Sequence, residues 1–431
     1  MFGGILMSYR FLLDIAIILI STKVFGLITN KFHMPQVVGA LLAGLVFGPC
    51  LLNVISQTSV LSSLSEMGVI VIMFAAGMTT DIKDLKNAGK SGFLVALLGV
   101  IVPLIGGTLV GFLFNIGGSD KSAILSHVFL GVILTATSVS ITVEALKEMG
   151  KLSTNVGNTI LAAAIIDDFL GLIALTVVTS LAGVKVNIFL VILKIILFFV
   201  FVTVVYLIFP KLFNKYTEHK QSKNLHRYPI AAFVLCLLFA FVAEEIFGVA
   251  DIIGAFSAGL IIAATKKAEY ISAKFEPVQY MFLTPIFFAS IGLKVTIPSM
   301  SIGLILFAVV FTLTAILGKI IGCGIGARLS GYNNKEALQV GCGMACRGEV
   351  ALIVANKGLS LGIIGSSLFG PIVIMVVCCA VLTPIMLKAA FKNSKEVPQQ
   401  SDIVDKIEGK EQLDIISDNL IEQNKNLQNK N

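Results

Sequence analysis

Leu161-Ala162-Ala163-Ala164-Ile165-Ile166-Asp167-Asp168-Phe169-Leu170-Gly171-Leu172-Ile173-Ala174-Leu175 is an apolar run fit to sit in a bilayer, with two adjacent carboxylates at its middle. An aspartate at membrane depth costs at least ~2.5–3.5 kcal/mol, so it is normally retained only for a function. Neighbouring residues on a helix point about 100° apart. The two side chains therefore face different partners, and one role does not serve both. The plain reading is a pair of caps where a membrane helix breaks. The functional reading is an ion or proton site.

Composition fixes the class. Of 431 residues, 56% are hydrophobic and 13% charged, and the mean hydropathy is +0.95. A soluble domain is nearer ~45–50% apolar and ~25% charged. The chain is an all-α polytopic membrane protein. It has no Trp, so any interfacial aromatic belt draws on its seven Tyr and thirty Phe. Its seven cysteines form no CxxC pair and no disulfide framework. Cys342 and Cys346, spaced i, i+4, read as small packing residues on one helix face.

Outward from the acidic pair, the apolar runs divide into thirteen spans, each near the ~20 residues a bilayer requires. They are 9–30, 35–53, 61–79, 91–115, 122–148, 154–182, 187–209, 228–247, 250–265, 276–293, 300–329, 333–358 and 363–391. The first is kept as a helix rather than a signal peptide, because charges are scattered through it and no small-residue cleavage site follows. Residues 1–392 thus form one transmembrane domain. Residues 393–431 read as a polar cytoplasmic tail with one short helix near 402–423. Arg10, Lys121, Lys185, Lys294 and Lys357 lie on the N-terminal side. The opposite side carries many more basic residues, including Lys83, Lys86, Lys147, Lys151, Lys211 and Arg227. The positive-inside rule makes that second side cytoplasmic, with the N-terminus outside.

An internal repeat is visible. Val37-Val38-Gly39-Ala40-Leu41-Leu42-Ala43-Gly44-Leu45-Val46 matches Ile252-Ile253-Gly254-Ala255-Phe256-Ser257-Ala258-Gly259-Leu260-Ile261 at an offset of 215. One helix later, Ile72 to Gly77 answers Ile286 to Gly292 with a one-residue slip. Halves at about 9–182 and 228–391, joined by a linking helix at 187–209, lie in opposite topology. That is the inverted-repeat plan of secondary transporters. The fifth helix of each half is interrupted, at Thr135-Ala136-Thr137-Ser138-Val139-Ser140-Ile141-Thr142 and at Gly341-Cys342-Gly343-Met344-Ala345-Cys346-Arg347-Gly348-Glu349. Broken helices expose carbonyls and half-helix dipoles near the midplane, where they coordinate or balance a cation.

Other charges complete the set. Lys319, deep in span 300–329, needs an acidic partner or loses its proton, and Asp167 or Asp168 is the obvious one. Arg347 and Glu349 share the second broken helix, to pair with acids of the other half or to steady the break. Glu66, Glu244-Glu245 and Asp251 lie near span ends, where they cap helices or draw cations in. All four histidines sit at span ends or in loops, and no nucleophile–base set stands out, so an enzyme is excluded. No cofactor is implied.

The Asp167-Asp168 pair, the Thr137-Ser138 break, Gly254-Ala255-Phe256, Pro285-Ile286-Phe287-Phe288 and Arg347-Gly348-Glu349 resemble the monovalent cation:proton antiporter-2 family. Its bacterial sodium/proton antiporters of NapA and GerN type are the nearest look. The resemblance covers about residues 9–391. It implies an NhaA-like fold of thirteen helices, with a dimerisation domain and a core domain holding two crossed broken helices. It also implies a homodimer in the inner membrane and elevator-like alternating access. Asp168 then matches the ion- and proton-carrying aspartate, where Na+ binds, with Thr137 and Ser138 beside it. Asp167 and Lys319 match the acid–lysine pair of electrogenic members. The long C-terminal extension of the potassium-efflux branch is missing. A carboxylate stripped of water holds a proton more readily, and a nearby cation displaces it, so Na+ and H+ compete for one site. Exchange of K+ or Li+ for H+ remains an alternative. So does a channel or a non-transporting sensor on the same scaffold, although polar residues gather only near the midplane and no output domain is visible.

Overall fold

Side-chain caps set where several helices begin. Thr58, Thr154 and Ser301 each accept the backbone N–H three residues on, and Asp81 accepts the N–H of Lys83. Asn333 and Glu336 form a reciprocal capping box. Between these starts the apolar composition does the rest, since in lipid only a helix or closed barrel satisfies its own backbone. A computed structural model describes residues 9–32, 34–115, 121–183, 187–219, 227–295 and 300–392. The expected tail, with its helix near 402–423, lies outside them.

The helices run α1 (Arg10–Lys31), α2 (Gln36–Phe47), α3 (Ser59–Met78), α4 (Ile82–Leu113), α5 (Lys121–Thr135), α6 (Val139–Glu148), α7 (Asn155–Leu181), α8 (Ile188–His219) and α9 (Arg227–Phe241). Then come α10 (Asp251–Ala263), α11 (Ala268–Val278), α12 (Thr284–Leu293), α13 (Ile302–Leu329), α14 (Asn334–Gly343), α15 (Glu349–Ser360) and α16 (Phe369–Phe391). π-helical turns continue α9 over Val242–Phe247 and join α11 to α12 over Gln279–Leu283. There is no strand among the described residues. This is a multi-pass, all-helical membrane protein.

Nine of the helical segments among the described residues are long and apolar enough to cross a bilayer unaided. Every one of the thirteen expected runs contains helix, but four fall outside the nine. Helices α2 and α10 have only 12 and 13 residues. Run 276–293 is part of a longer helix that starts at Ala268 and passes through the π turn, and run 333–358 is split in two. Boundaries move outward elsewhere. Helix α4 starts at Ile82 rather than 91, because the Asp81 cap starts a lysine-bearing turn that projects into water. Helix α8 runs through Pro210 to His219, past the expected stop at 209.

The helices pack mainly within two groups, which meet across one shared hydrophobic cluster. Helix α4 lies against α13, α5 and α7, with α14, α15 and α16 on the same body. Helices α1, α2, α3, α9, α10 and α12 form the other. Helix α8 touches α7 of one and α10 of the other, and only 6% of its apolar window is buried. Where the second group interlocks, backbones touch. A Cβ on Gly44 would collide with the carbonyl oxygen of Ala289, and one on Gly292 would lie 2.5–2.6 Å from Leu45 N and Leu41 O. In the same way Gly259 abuts the carbonyl of Phe74, and Gly77 abuts Phe256 O and Leu260 N. Every partner in one contact maps onto its counterpart at an offset of 215, so the one-residue slip expected in the second match is absent.

Candidate ion site

Both expected breaks are present, and they cross. Helix α5 stops at Thr135 and α6 starts at Val139; α14 stops at Gly343 and α15 starts at Glu349. The connecting segments touch through the amide of Ser138, which donates to the carbonyl of Cys346 at 3.1 Å. Thr142 Oγ1 donates to Gly343 O at 2.7 Å, satisfying an orphan carbonyl at the end of α14. Gly348 is required at the crossing: a Cβ there would lie 2.6 Å from Ser138 Oγ. Because α14 ends at Gly343, Cys342 and Cys346 do not share a helix face as expected. All seven cysteines are free.

Asp167 is fully engaged. Its Oδ1 lies 2.6 Å from Lys319 Nζ, and its Oδ2 accepts from Thr137 Oγ1 at 2.7 Å. Asp167 is 1% exposed and Lys319 is wholly buried. Of the two partners open to Lys319 in the sequence, Asp167 is the one it takes. Space for the pair comes from Gly99, whose missing Cβ would lie 3.6 Å from Lys319 Nζ and 3.8 Å from Asp167 Oδ1. Nothing in the sequence pointed to Gly99, because its role depends on α4 crossing α13 at that level.

Asp168 is placed differently. Its Oδ2 is buried and has no hydrogen-bond partner. The perpendicular arrangement expected of adjacent helical residues has separated the two acids, one locked and one open.

Arg347 is wholly buried and reaches no carboxylate. Its guanidinium donates to Leu134 O at 2.5 Å, Cys346 O at 3.2 Å, Ala315 O at 3.4 Å and Met344 O at 3.5 Å. Leu134 and Met344 stand at the C-terminal ends of α5 and α14. Each such end carries about half a negative charge, so two of them offset one guanidinium. Its partners are therefore carbonyls, mainly at the breaks, rather than acids of the other half. Glu349 sits in the first turn of α15, where a carboxylate suits the helix dipole. Its charged neighbours are Lys294, Asp251 and Glu66. Glu244 accepts from the amide of Asp251 at 3.2 Å, so it serves as a cap for α10. His127 is neither at a helix end nor in a loop: it is buried within α5 with its ring 4.3 Å from that of Phe112.

The ledger of charge is then short. Lys319 cancels Asp167, and the two helix ends cancel Arg347. The N-terminus of α15 is met by Glu349. The N-terminus of α6, with no acid in its first turn, offers about half a positive charge. Among the carboxylates at the crossing, Asp168 alone keeps a buried oxygen without a partner.

Residues 16–393 match the family model described as sodium/hydrogen exchanger, transmembrane. The chain is 40% identical over 384 residues to the "Probable Na(+)/H(+) antiporter GerT" of Bacillus cereus, covering 88% of this chain and 99% of that protein. It is 38% identical over 387 residues to the Na(+)/H(+)-K(+) antiporter GerN of the same organism, covering 89% and 97%. Among solved structures it resembles the sodium proton antiporter MjNhaP1 of Methanocaldococcus jannaschii, with a TM-score of 0.67, 18% identity, and 90% and 96% of the two chains covered.

Proposed function

The chain belongs to the transmembrane sodium/hydrogen exchanger family, and from that premise we propose that Asp168 is the carboxylate on which Na+ and H+ compete. The chain exchanges Na+ for H+ across a membrane. The observation that carries the assignment to Asp168 is its unpartnered, buried Oδ2 beside an Asp167 whose two oxygens are both taken. A bare carboxylate crosses the low-dielectric barrier at high cost. Loading with either a proton or Na+ removes most of that cost, so the core moves loaded and exchange follows with no covalent step. Thr137 and Ser138 hold the break beside it, and Arg347 keeps the crossed ends from repelling each other.

The remaining assignments extend this reading. The basic face is cytoplasmic in a cell inner membrane. The equal-offset glycine contacts support halves related as an inverted repeat, and thirteen crossings follow if α2, α10, Ala268–Leu293 and the α14–α15 pair each span. Helix α8 links the two bodies, which slide against one another for alternating access. The functional unit is a homodimer, for which the exposed apolar side chains of α1 (Leu12, Leu13, Ile20, Leu27) supply a lipid- or partner-facing surface. Lys319 and Asp167 carry the second proton of an electrogenic cycle, two H+ per Na+. The family is one of transporters, and ion competition uses no nucleophile and no cofactor.

The test is Asp168→Asn, which keeps shape and hydrogen bonding but removes the charge. Everted vesicles containing this variant, inserted at normal levels, are expected to show no pH-dye response to Na+, K+ or Li+. Exchange at the unmodified rate would refute the assignment. The same series on the unmodified protein reads out cation selectivity, with K+ of direct interest given the name of the GerN relative.

A further inference from the structure

Between α6 and the second body lies a cavity of 580 Å³ lined by α1, α2, the π turn and the start of α12. It lies at the end of α6 where Lys147 and Glu148 stand, toward the basic face. Three glutamates line it, and they are not equivalent. Glu148 is spent: both its oxygens accept the amide of Gln36, at 2.7 and 2.9 Å, at the N-terminus of α2. Glu144 accepts one bond, from Gln279 Nε2 at 3.3 Å, and Gln279 in turn accepts from Lys147 Nζ at 3.2 Å. Glu276 is the acidic neighbour of Glu144, and its Oε2 is buried with no partner. Thr284, only 9% exposed, lines the same cavity and its hydroxyl also has no partner. The next residue, Pro285, has no N–H to give the carbonyl one turn back.

Two carboxylates facing one apolar space repel, and a cation between them relieves the repulsion. Lys23 is exposed and rests on Tyr280 Oη at 3.1 Å, so solvent screens it. Counting it, the lining sets Glu144, Glu148 and Glu276 against Lys23 and Lys147, which leaves one net negative charge. That balance suits a monovalent ion. No group of three or more His, Cys, Asp or Glu among the described residues is arranged to hold a divalent metal.

We infer that this cavity holds a second monovalent cation, bound by the Glu144 and Glu276 carboxylates and the Thr284 hydroxyl, apart from the Asp168 site. Glu144 stands six residues beyond Ser138 on α6, about 9 Å along the helix axis. An ion held there waits within one short step of the crossed break. The inference builds on the exchange reading, in which the ion travels onward to Asp168, but its binding test does not require exchange.

Equilibrium binding of radioactive Na+ to purified full-length Asp168→Asn protein removes the core site from the measurement. Saturable Na+ binding is expected to persist in it. Adding Glu276→Gln should abolish that binding, and adding Thr284→Val, which removes only a hydroxyl, should weaken it several-fold; a single size-exclusion peak checks that each variant is folded. Loss of all binding in Asp168→Asn alone, or binding unchanged by both cavity substitutions, overturns the proposal. Displacement of Na+ by Mg2+ or Ca2+ more readily than by K+ overturns the assignment to monovalent ions. Exchange retained by Asp168→Asn would instead strike the Asp168 reading, leaving the cavity result to stand by itself.

Discussion

Replacing Lys319 by Met removes the cation from the most enclosed ion pair in the molecule. At 2.6 Å and essentially no exposure on either side, the ammonium is the principal counter-charge of Asp167, which keeps only the Thr137 hydroxyl at 2.7 Å. Breaking such a pair by removing one partner costs about 3–5 kcal/mol, because a buried charge is left unmatched. Removing both partners is close to neutral. Lys319→Met alone is therefore expected to lower the melting temperature by about 6–20 °C, at ~2–4 °C per kcal/mol. Asp167→Asn should do the same, and the double variant should recover most of the loss. With each single loss at about 3–5 kcal/mol and the double near neutral, the coupling expected from the cycle is about 6–10 kcal/mol. Melting can be followed with a thiol-reactive fluorogenic dye, since Cys236, Cys323, Cys346 and Cys379 are free and buried and there is no Trp to report unfolding. Choline chloride up to 1 M should change little, because a pair without solvent contact is barely screened. A shift below about 2 °C for Lys319→Met, or costs that simply add in the double variant, would refute the reasoning.

The electrogenic cycle predicts that in proteoliposomes an imposed potassium-diffusion potential set with valinomycin alters the rate and end point of Na+/H+ exchange; indifference to the potential would reduce Lys319 to a structural partner. Gly99→Ala places a methyl 2.5 Å from Cys323 Sγ and should cost about 1–3 kcal/mol of stability, with Cys323→Ala restoring part of it in the same dye melt. Arg347→Lys replaces a planar fork that reaches four carbonyls with a single point donor, so the yield of monodisperse protein should fall sharply, and undiminished yield and transport would contradict the role given to the guanidinium. Truncation after Ser394 removes no apolar span and no site residue, so everted vesicles should still exchange; a folded but inert truncation would assign the tail a part in transport.

The central features of the site were open to sequence reasoning because membrane burial is so selective. Asp167, Asp168, Lys319 and Arg347 each stood out as a charge that an apolar run does not retain without cause, and the two breaks showed as polar or glycine-rich interruptions. What the residues could not give was pairing. Asp167 and Asp168 are equivalent in composition, and only the packing of α7 and α13 against α4 decides which one Lys319 reaches. For Arg347 the sequence left an ion pair and a brace for the break both open, because helix ends as counter-charges are invisible until both half-helices are placed. Gly99 carried no signal, being one of 39 glycines. The cavity acids drew no attention either: Glu144 and Glu276 are 132 residues apart in the chain and meet only when α6 packs beside the π turn. The register of the second repeat was misread by one residue, since Ala, Ser and Phe align almost equally well at either offset.

The glycine contacts bear on how the protein is made. Helix α2 from the first half locks onto α12, and α3 onto α10, so each half supplies the surface on which the other is completed. Ribosomes deliver the first half well before residues 251–293 emerge. During that interval Gly44 and Gly77 present bare backbone to lipid or to the insertion machinery, with no partner yet synthesised. Early biogenesis therefore passes through a membrane-integrated but unlatched intermediate, and maturation waits on the arrival of the tenth and twelfth helices. Quality-control proteases that sense loosely packed membrane segments have their opportunity in that window, and a chain halted after α8 is expected to be degraded rather than stored.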